Sequence, residues 1–241
     1  MAETKAPPGI FSAMPRKPYL SLVGRKRRTG TEKINIGGDA FNKRPDLQRI
    51  VGACLMSWPF LEMELALLLG KLLGSPNEAA IAVFQIIRRS STQRDAILEA
   101  GRHSLNSEDQ ELLSAVMNMV GAVEAERNAL AHGHFGISNL LPKDLVWQNT
   151  VDYIAHQTNV ILRGQTEWNN DKHEAIVRNL FVYTKKDLEI IREDMILVGH
   201  ITKLFLRYLT GQSLVLRKHL HEFPRVNQEL KKLRKKGPLK R

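Results

Sequence analysis

Between Leu47 and Leu72 the residues Leu47, Val51, Cys54, Trp58, Leu61, Leu65, Leu68 and Leu72 recur at alternating steps of four and three. That rhythm places them all on one face of a single long helix. A helix with so continuous an apolar face has to bury it against other elements, so helix packing sets the architecture. The chain has the material for this. Its 241 residues, 43% of them hydrophobic, can build an ordinary packed core in one or two domains, which excludes a wholly disordered or fibrous chain.

Further helices are legible downstream. Gly74-Ser75-Pro76-Asn77-Glu78 reads as a stop and then a start, with Ser75 as cap, Pro76 in the first turn and Glu78 completing a capping box, and this second helix runs to about Arg89. Ser90 or Ser91 opens a third helix through about Ser104, and Ser107 with Gln110 opens a fourth. On the fourth, Leu112, Val116, Val120 and Val123 form the apolar stripe, continued by Arg127 and Leu130 as far as Gly133. From Gly133 to Tyr183 the helical period disappears; Leu145-Val146-Trp147 and Asn179-Leu180-Phe181-Val182-Tyr183 read as short strands around the polar stretch 165–174. Thr184 with Asp187 then caps a fifth helix whose face is Leu188, Ile191, Met195, Val198, Ile201, Leu204 or Phe205, and Tyr208. The expected fold is mainly α: a helical bundle over 46–210, with a small β-insert at about 134–183 before the last long helix. Pro224 interrupts the helical pattern near the C-terminus, so 211–241 is expected to be a C-terminal helical extension fraying into a basic tail.

Charge is concentrated at the ends. The formal net charge is +11, of which residues 1–45 carry +7 and residues 229–241 carry +6, leaving the body at −2. With Pro7, Pro8, Pro15 and Pro18, the run Arg25-Lys26-Arg27-Arg28 and the pair Gly37-Gly38, residues 1–45 read as a disordered basic arm. Arg25, Lys26, Arg27 and Arg28, with Lys231, Lys232, Arg234, Lys235 and Lys236, are candidates for sequence-independent, salt-sensitive phosphate binding. Neither run is interleaved with aromatics for base stacking, and solvated charge without a ligand fits them equally. A single cysteine, Cys54, excludes an intramolecular disulfide and any Cys-based zinc site and suits a reducing cytoplasm. No secretory signal is legible. The most apolar run, Leu65–Leu73, is interrupted by Lys71 and falls short of the roughly 20 residues of a spanning helix, so the expectation is a soluble cytoplasmic protein with no membrane association.

Gly-rich phosphate loops, His-Glu-x-x-His, Gly-x-Ser-x-Gly and calcium loops are all missing. Chemistry concentrates instead in Glu126-Arg127-Asn128-Ala129-Leu130-Ala131-His132-Gly133-His134-Phe135-Gly136. Arg127 occupies a place in the stripe of 116, 120, 123 and 130 where a core wants an aliphatic, and a buried guanidinium needs a carboxylate. On the first helix Glu64 shares its line with Ser57 and Lys71, whereas Glu62 shares its line with Leu55 and Leu69, which makes Glu62 the inward candidate. One reading stops at an architectural Glu62–Arg127 pair. The other adds His132: imidazole exchanges a proton near neutrality and guanidinium grips a phosphate, which is what metal-free phosphodiester cleavage requires. An ideal helix turns Arg127 and His132 about 140° apart, while Asn128 and His132 share a face. Either the helix end distorts at Gly133 or the site is composite between two chains. His132-x-His134 and His219-x-His221 lack the further ligands a metal needs, so neither metal nor cofactor is expected.

Arg127-Asn128-x-x-x-His132 at the end of a long bundle helix resembles the signature of the HEPN superfamily. The wider pattern is similar to small bacterial HEPN-like proteins: Trp58-x-x-x-Glu62 in the first helix, Arg127-Asn128 running into His132-Gly133-x-Phe135-Gly136, short strands, then Thr184-x-x-Asp187-Leu188, together covering about 46–210. The resemblance implies an up-and-down bundle that forms a homodimer in which two Arg-His segments meet in one cleft. In active members that cleft is a metal-independent endoribonuclease of toxin or defence type: His assists attack of the ribose 2′-hydroxyl and Arg stabilises the phosphorane-like transition state. Carried over, His132 is the acid or base, Arg127 the phosphate holder, Asn128 the polar positioner and Glu62 a charge partner, with RNA as substrate and an antitoxin or other protein as partner. His134, a candidate accessory residue, stands where toxin members carry a Tyr modified by their partner, a departure that argues against that mode of neutralisation. Many members of the superfamily are non-catalytic interaction or nucleic-acid-binding modules, the alternative reading.

Overall fold

The computed structural model describes residues 16–24, 32–74, 78–161, 177–211 and 214–235. It is mainly helical with one small antiparallel sheet. In chain order its elements are β1 (Lys17–Pro18), α1 (Tyr19–Val23), β2 (Ile34–Ile36), α2 (Asp39–Asn42), α3 (Pro45–Leu72), α4 (Glu78–Ile86), α5 (Ser90–Ser104), α6 (Ser107–His132), β3 (His134–Ser138), β4 (Leu141–Gln148), α7 (Thr150–Ile161), β5 (Phe181–Tyr183), α8 (Lys185–Leu209), α9 (Leu214–Glu222) and α10 (Pro224–Lys235). Contacts divide the described residues into two compact units, one of 57–124 and 194–235, the other of 16–56 and 125–193, with the divisions falling inside α3, α6 and α8.

The all-helical unit is built from the predicted stripes. Trp58, Leu61, Leu65, Leu68 and Leu72 on α3, Leu112, Val116, Val120 and Val123 on α6, and Met195, Val198, Ile201, Leu204 and Phe205 on α8 are all buried. Tyr208 Oη of α8 donates to Asp109 of α6 at 3.0 Å, and ion pairs tie the last two helices down: Arg217 with Glu108, Arg225 with Asp194, and Arg234 Nε with Glu111 at 3.2 Å. The segment after Pro224 is therefore a packed helix with Arg225, Val226, Glu229 and Leu230 buried, and not a frayed tail through residue 235. Pro224 serves as a helix start, where its missing N–H costs nothing. The cap of α6 also differs from expectation. Asn106, one residue earlier than Ser107, accepts from the Asp109 N–H at 3.0 Å and donates back to Asp109 Oδ2 at 2.7 Å. Gln110 instead donates to the carbonyls of Leu105 and Arg102 at 2.8 and 3.1 Å, closing the end of α5. Ser75 and Pro76 lie outside the described residues.

The second unit holds the whole sheet, in the order β1-β5-β4-β3-β2, every pairing antiparallel. Strand alternation separates its faces. On one, Phe135, Trp147 and Phe181 are in register and Leu145 faces Tyr183; on the other lie Gly136, Val146 and Val182. The second face is covered by Tyr19 and Val23 of α1 with Val177 and Leu180. In the same unit Cys54 of α3 aims its thiol at the Leu188 carbonyl of α8, 3.9 Å away, and burial pushes that thiol up to about 12. The predicted start of α8 is borne out: the Asp187 N–H donates to Thr184 Oγ1 at 3.2 Å, and the Thr184 N–H donates to Asp187 Oδ2 at 2.9 Å.

Two expectations are corrected here. Residues 1–45 are not a disordered arm across 16–24 and 32–44, which supply both edge strands of the sheet, α1 and α2. The run Tyr19-Leu20-Ser21-Leu22-Val23 is apolar enough to cover a sheet face, a signal outweighed by the prolines and charges around it. The interval after Gly133 is not strand alone either, because it contains α7. Its cap is legible afterwards in Asn149-x-x-Asp152, where the Asp152 N–H donates to Asn149 Oδ1 at 2.9 Å. Val151 and Ile154 point to solvent, so α7 has no clean apolar stripe to betray it. By length and composition α3 alone among the described helices could cross a membrane; 33% of its apolar stretch is buried, and the buried residues of α3 include the stripe read from the sequence.

Tyr19 is fully buried, its hydroxyl 2.7 Å from Ser138 Oγ. Tyr19→Ala is expected to lower unfolding free energy by about 3–5 kcal/mol and Tyr19→Phe by about 1 kcal/mol, measured by urea denaturation. A loss under about 0.5 kcal/mol for the alanine variant would mean that the N-terminal segment does not belong to the fold.

Candidate functional site

Arg127, Asn128 and His132 all lie in the last turn and a half of α6. The helix does not distort where they stand: the Gly133 N–H still makes an ordinary helical bond to the Ala129 carbonyl at 3.1 Å. Arg127 and His132 consequently keep their angular separation of about 140°, and Asn128 and His132 keep a common face. Arg127 and Asn128 are half-buried, whereas His132 is exposed. Leu130, the next member of the Arg127 stripe, is buried.

Residues that sequence reasoning did not single out hold this helix end. Trp147 Nε1 donates to the Ala129 carbonyl at 3.0 Å, so that one oxygen takes both the indole and the Gly133 amide. The indole comes so close that a Cβ on residue 133 would lie 1.7 Å from Nε1, which only glycine avoids. Thr150 Oγ1 donates to the His132 carbonyl. These three contacts turn the open C-terminal end of a helix into a fixed one. Arg16 lies over the Trp147 ring, 4.0 Å from its centroid, and donates from Nη1 to the Tyr183 hydroxyl at 3.0 Å. Burial pushes that phenol up to about 12, against the lowering influence of Arg16.

His134, two residues beyond His132, stacks on Tyr153 of α7 with ring centroids 3.9 Å apart and planes 19° from parallel. Its register partner Gln148 is 1% exposed, and the Gln148 Oε1 is buried with no hydrogen-bond partner among the described residues. One turn further along α7, burial lowers the His156 imidazole below its ordinary value, which favours the neutral ring.

Glu62 is half-buried, as is Glu64, so their helical lines do not separate them as expected. Glu62, in the all-helical unit, makes no hydrogen bond or ion pair among the described residues, and Arg127 belongs to the other unit. Its carboxylate instead lines a cavity of about 500 Å³ with Met63, Phe84, Arg88 and Gln93.

Of the basic runs, Arg25, Lys26, Arg27, Arg28 and Lys236 lie outside the described residues. Lys232 is engaged by Glu229 at 2.6 Å and Arg234 by Glu111, while Lys231 and Lys235, four apart on α10, are exposed. His219 Nδ1 sits 2.9 Å from Glu222 Oε2. No group of three or more His, Cys, Asp or Glu placed to hold a metal occurs among the described residues. Comparison of the chain with family models, with curated proteins and with solved structures gives no match.

The glycine at 133 gives a direct test of how the helix end is held. Gly133→Ala is expected to cost about 2–4 kcal/mol, from overpacking against Trp147 and loss of its hydrogen bond. Gly199→Ala, in α8 with open space at its Cβ, is expected to gain about 0.5–1 kcal/mol instead. Urea denaturation of both variants checks this, and a Gly133→Ala protein as stable as Gly199→Ala would refute the contact.

Proposed function

We propose that this chain is a HEPN-like homodimeric protein of the cytoplasm acting on RNA as a metal-independent endoribonuclease, with the Arg127–His132 segments of two copies in one cleft. The observation that carries the proposal is the end of α6: an exposed His132 on a helix terminus fixed by Trp147, Gly133 and Thr150. Preorganisation of this kind is what a proton-transferring group needs, since the backbone beneath it pays no ordering cost during reaction. His132 takes the proton from a ribose 2′-hydroxyl, or returns one to the leaving oxygen. Asn128, on the same face, positions the phosphate. A helix that stays regular keeps Arg127 off that face, so the guanidinium that steadies the developing phosphorane charge comes from the second copy.

Half-burial of Arg127 favours a second reading, a non-catalytic interaction or nucleic-acid-binding module of the same fold, in which the guanidinium is architectural. The two readings part at His132. Under the first, purified protein cleaves RNA in the presence of EDTA and leaves 2′,3′-cyclic phosphate ends. His132→Ala abolishes cleavage at an unchanged melting temperature, because the side chain is exposed. Equal cleavage by wild type and variant would end the enzyme proposal and leave the module.

Under either reading the exposed face of α10 contributes to RNA affinity through Lys231 and Lys235. Lys231→Ala and Lys235→Ala are each expected to flatten the slope of log affinity against log salt by about one. Filter binding of a single-stranded RNA between about 50 and 200 mM salt measures it. An unchanged slope in the double variant would remove α10 from the binding surface.

A further inference from the structure

The start of α7 lies against the junction between α6 and β3. Thr150 Oγ1 donates to the His132 carbonyl, and one turn further on Tyr153 stacks on His134, with ring centroids 3.9 Å apart and planes 19° from parallel. Thr150 and Tyr153, three apart, share a face of α7, so a single helix face makes both contacts. All four residues belong to the unit that holds the sheet.

The start of α7 is already fixed without the rings, because Asn149 and Asp152 exchange two hydrogen bonds and Thr150 reaches His132. What the ring pair adds is a planar surface. A stack of two rings uses one face of each, and both side chains are only half-buried, so the chain does not enclose the pair. A further flat group laid on an outer face extends the stack, which is how aromatic and imidazole side chains take unpaired nucleobases.

The place of the stack indicates what lies on it. His134 is two residues from His132, so their Cα atoms are at most about 7 Å apart, within the span of one nucleotide. His132 is exposed, and Asn128 shares its helix face. A base on the stack carries its own phosphate toward that imidazole and amide. The basic runs 25–28 and 231–236 contain no aromatic side chain and can grip only phosphates, so the stack supplies the base contact they lack. A duplex keeps its bases stacked on one another, whereas a single strand can turn one out onto a side chain.

We propose that the His134–Tyr153 stack beside His132 is a nucleobase platform, which makes single-stranded RNA the substrate class of this site. The proposal rests on the RNA reading above and adds to it the recognition of a base.

Fluorescence titration of the full chain in EDTA tests it. The probe is a short strand of 2′-O-methyl riboses, abasic except for one central 2-aminopurine, which has no free 2′-hydroxyl to be consumed. Wild type is expected to bind it with quenching of the 2-aminopurine emission, and to bind the fully abasic strand about 10-fold more weakly, a comparison that needs no variant. Tyr153→Phe keeps the ring and is expected to bind the probe within about threefold of wild type. Tyr153→Leu is expected to lose about 10-fold in affinity, and the quenching with it, at unchanged circular dichroism. An ordinary single-stranded RNA is expected to bind wild type about 10-fold more tightly than its duplex does. Equal affinity for the abasic strand, or a Tyr153→Leu protein that binds and quenches like wild type, overturns the platform. Binding of the 2-aminopurine mononucleotide as tightly as the probe overturns RNA as the source of the base. Quenching by a wild type that cleaves no RNA upholds the platform and overturns the ribonuclease. Cleavage of single strands and duplexes alike, undiminished in Tyr153→Leu, overturns the platform and leaves the ribonuclease.

Discussion

The hydrogen bond from the Trp147 indole to the Ala129 carbonyl joins the sheet to the helix that bears the candidate site. Around it several constraints converge. The bond requires the indole to lie against the backbone at residue 133, and so requires glycine there. A further constraint comes from Arg16, whose guanidinium lies over the same ring and is held by Tyr183. Residues from three distant parts of the chain thus meet on one aromatic side chain. Phe135 and Phe181, in register with Trp147, close the sheet face on either side, so the ring has little freedom to move and the helix end has little freedom either.

How much of this was legible in the sequence depended on period. Where side chains repeat at three and four, as from Leu47 to Leu72 or from Leu188 to Phe205, the face read from the sequence is the face that is buried. Local capping chemistry was legible where only one donor–acceptor pair competes, as at Thr184 and Asp187. It misled at Ser107, because Asn106 offers both a donor and an acceptor in the neighbouring position. The edge strands Lys17–Pro18 and Ile34–Ile36 were beyond such reading: two or three residues have no measurable period, and their pairing partners lie far along the chain. The same limit applies to the candidate site. Arg127, Asn128 and His132 announce themselves by type and spacing, whereas Trp147 and Thr150 become relevant only once β4 and α7 are folded against α6.

Net charge is a poor guide to free charge in this molecule. The C-terminal residues counted as a basic tail use much of their charge internally, with Lys232 on Glu229 and Arg234 on Glu111, while Arg225 just before them is committed to Asp194. The helix that results presents a narrower positive face than its composition suggests.

Completion of the sheet has a consequence for the order of events during synthesis. Arg16 and Tyr183, hydrogen-bonded in the folded protein, are 167 residues apart, and Lys17 pairs with Val182. Contacts of such separation close late, after local helices have formed. At ribosomal rates of about 5–20 residues per second, the segment Tyr19–Val23 is made on the order of ten seconds or more before the strand it packs beside exists. Until β5 is made its aromatic and aliphatic side chains have only part of their native surface to cover, that of Val146, which leaves this short apolar stretch incompletely buried for most of synthesis.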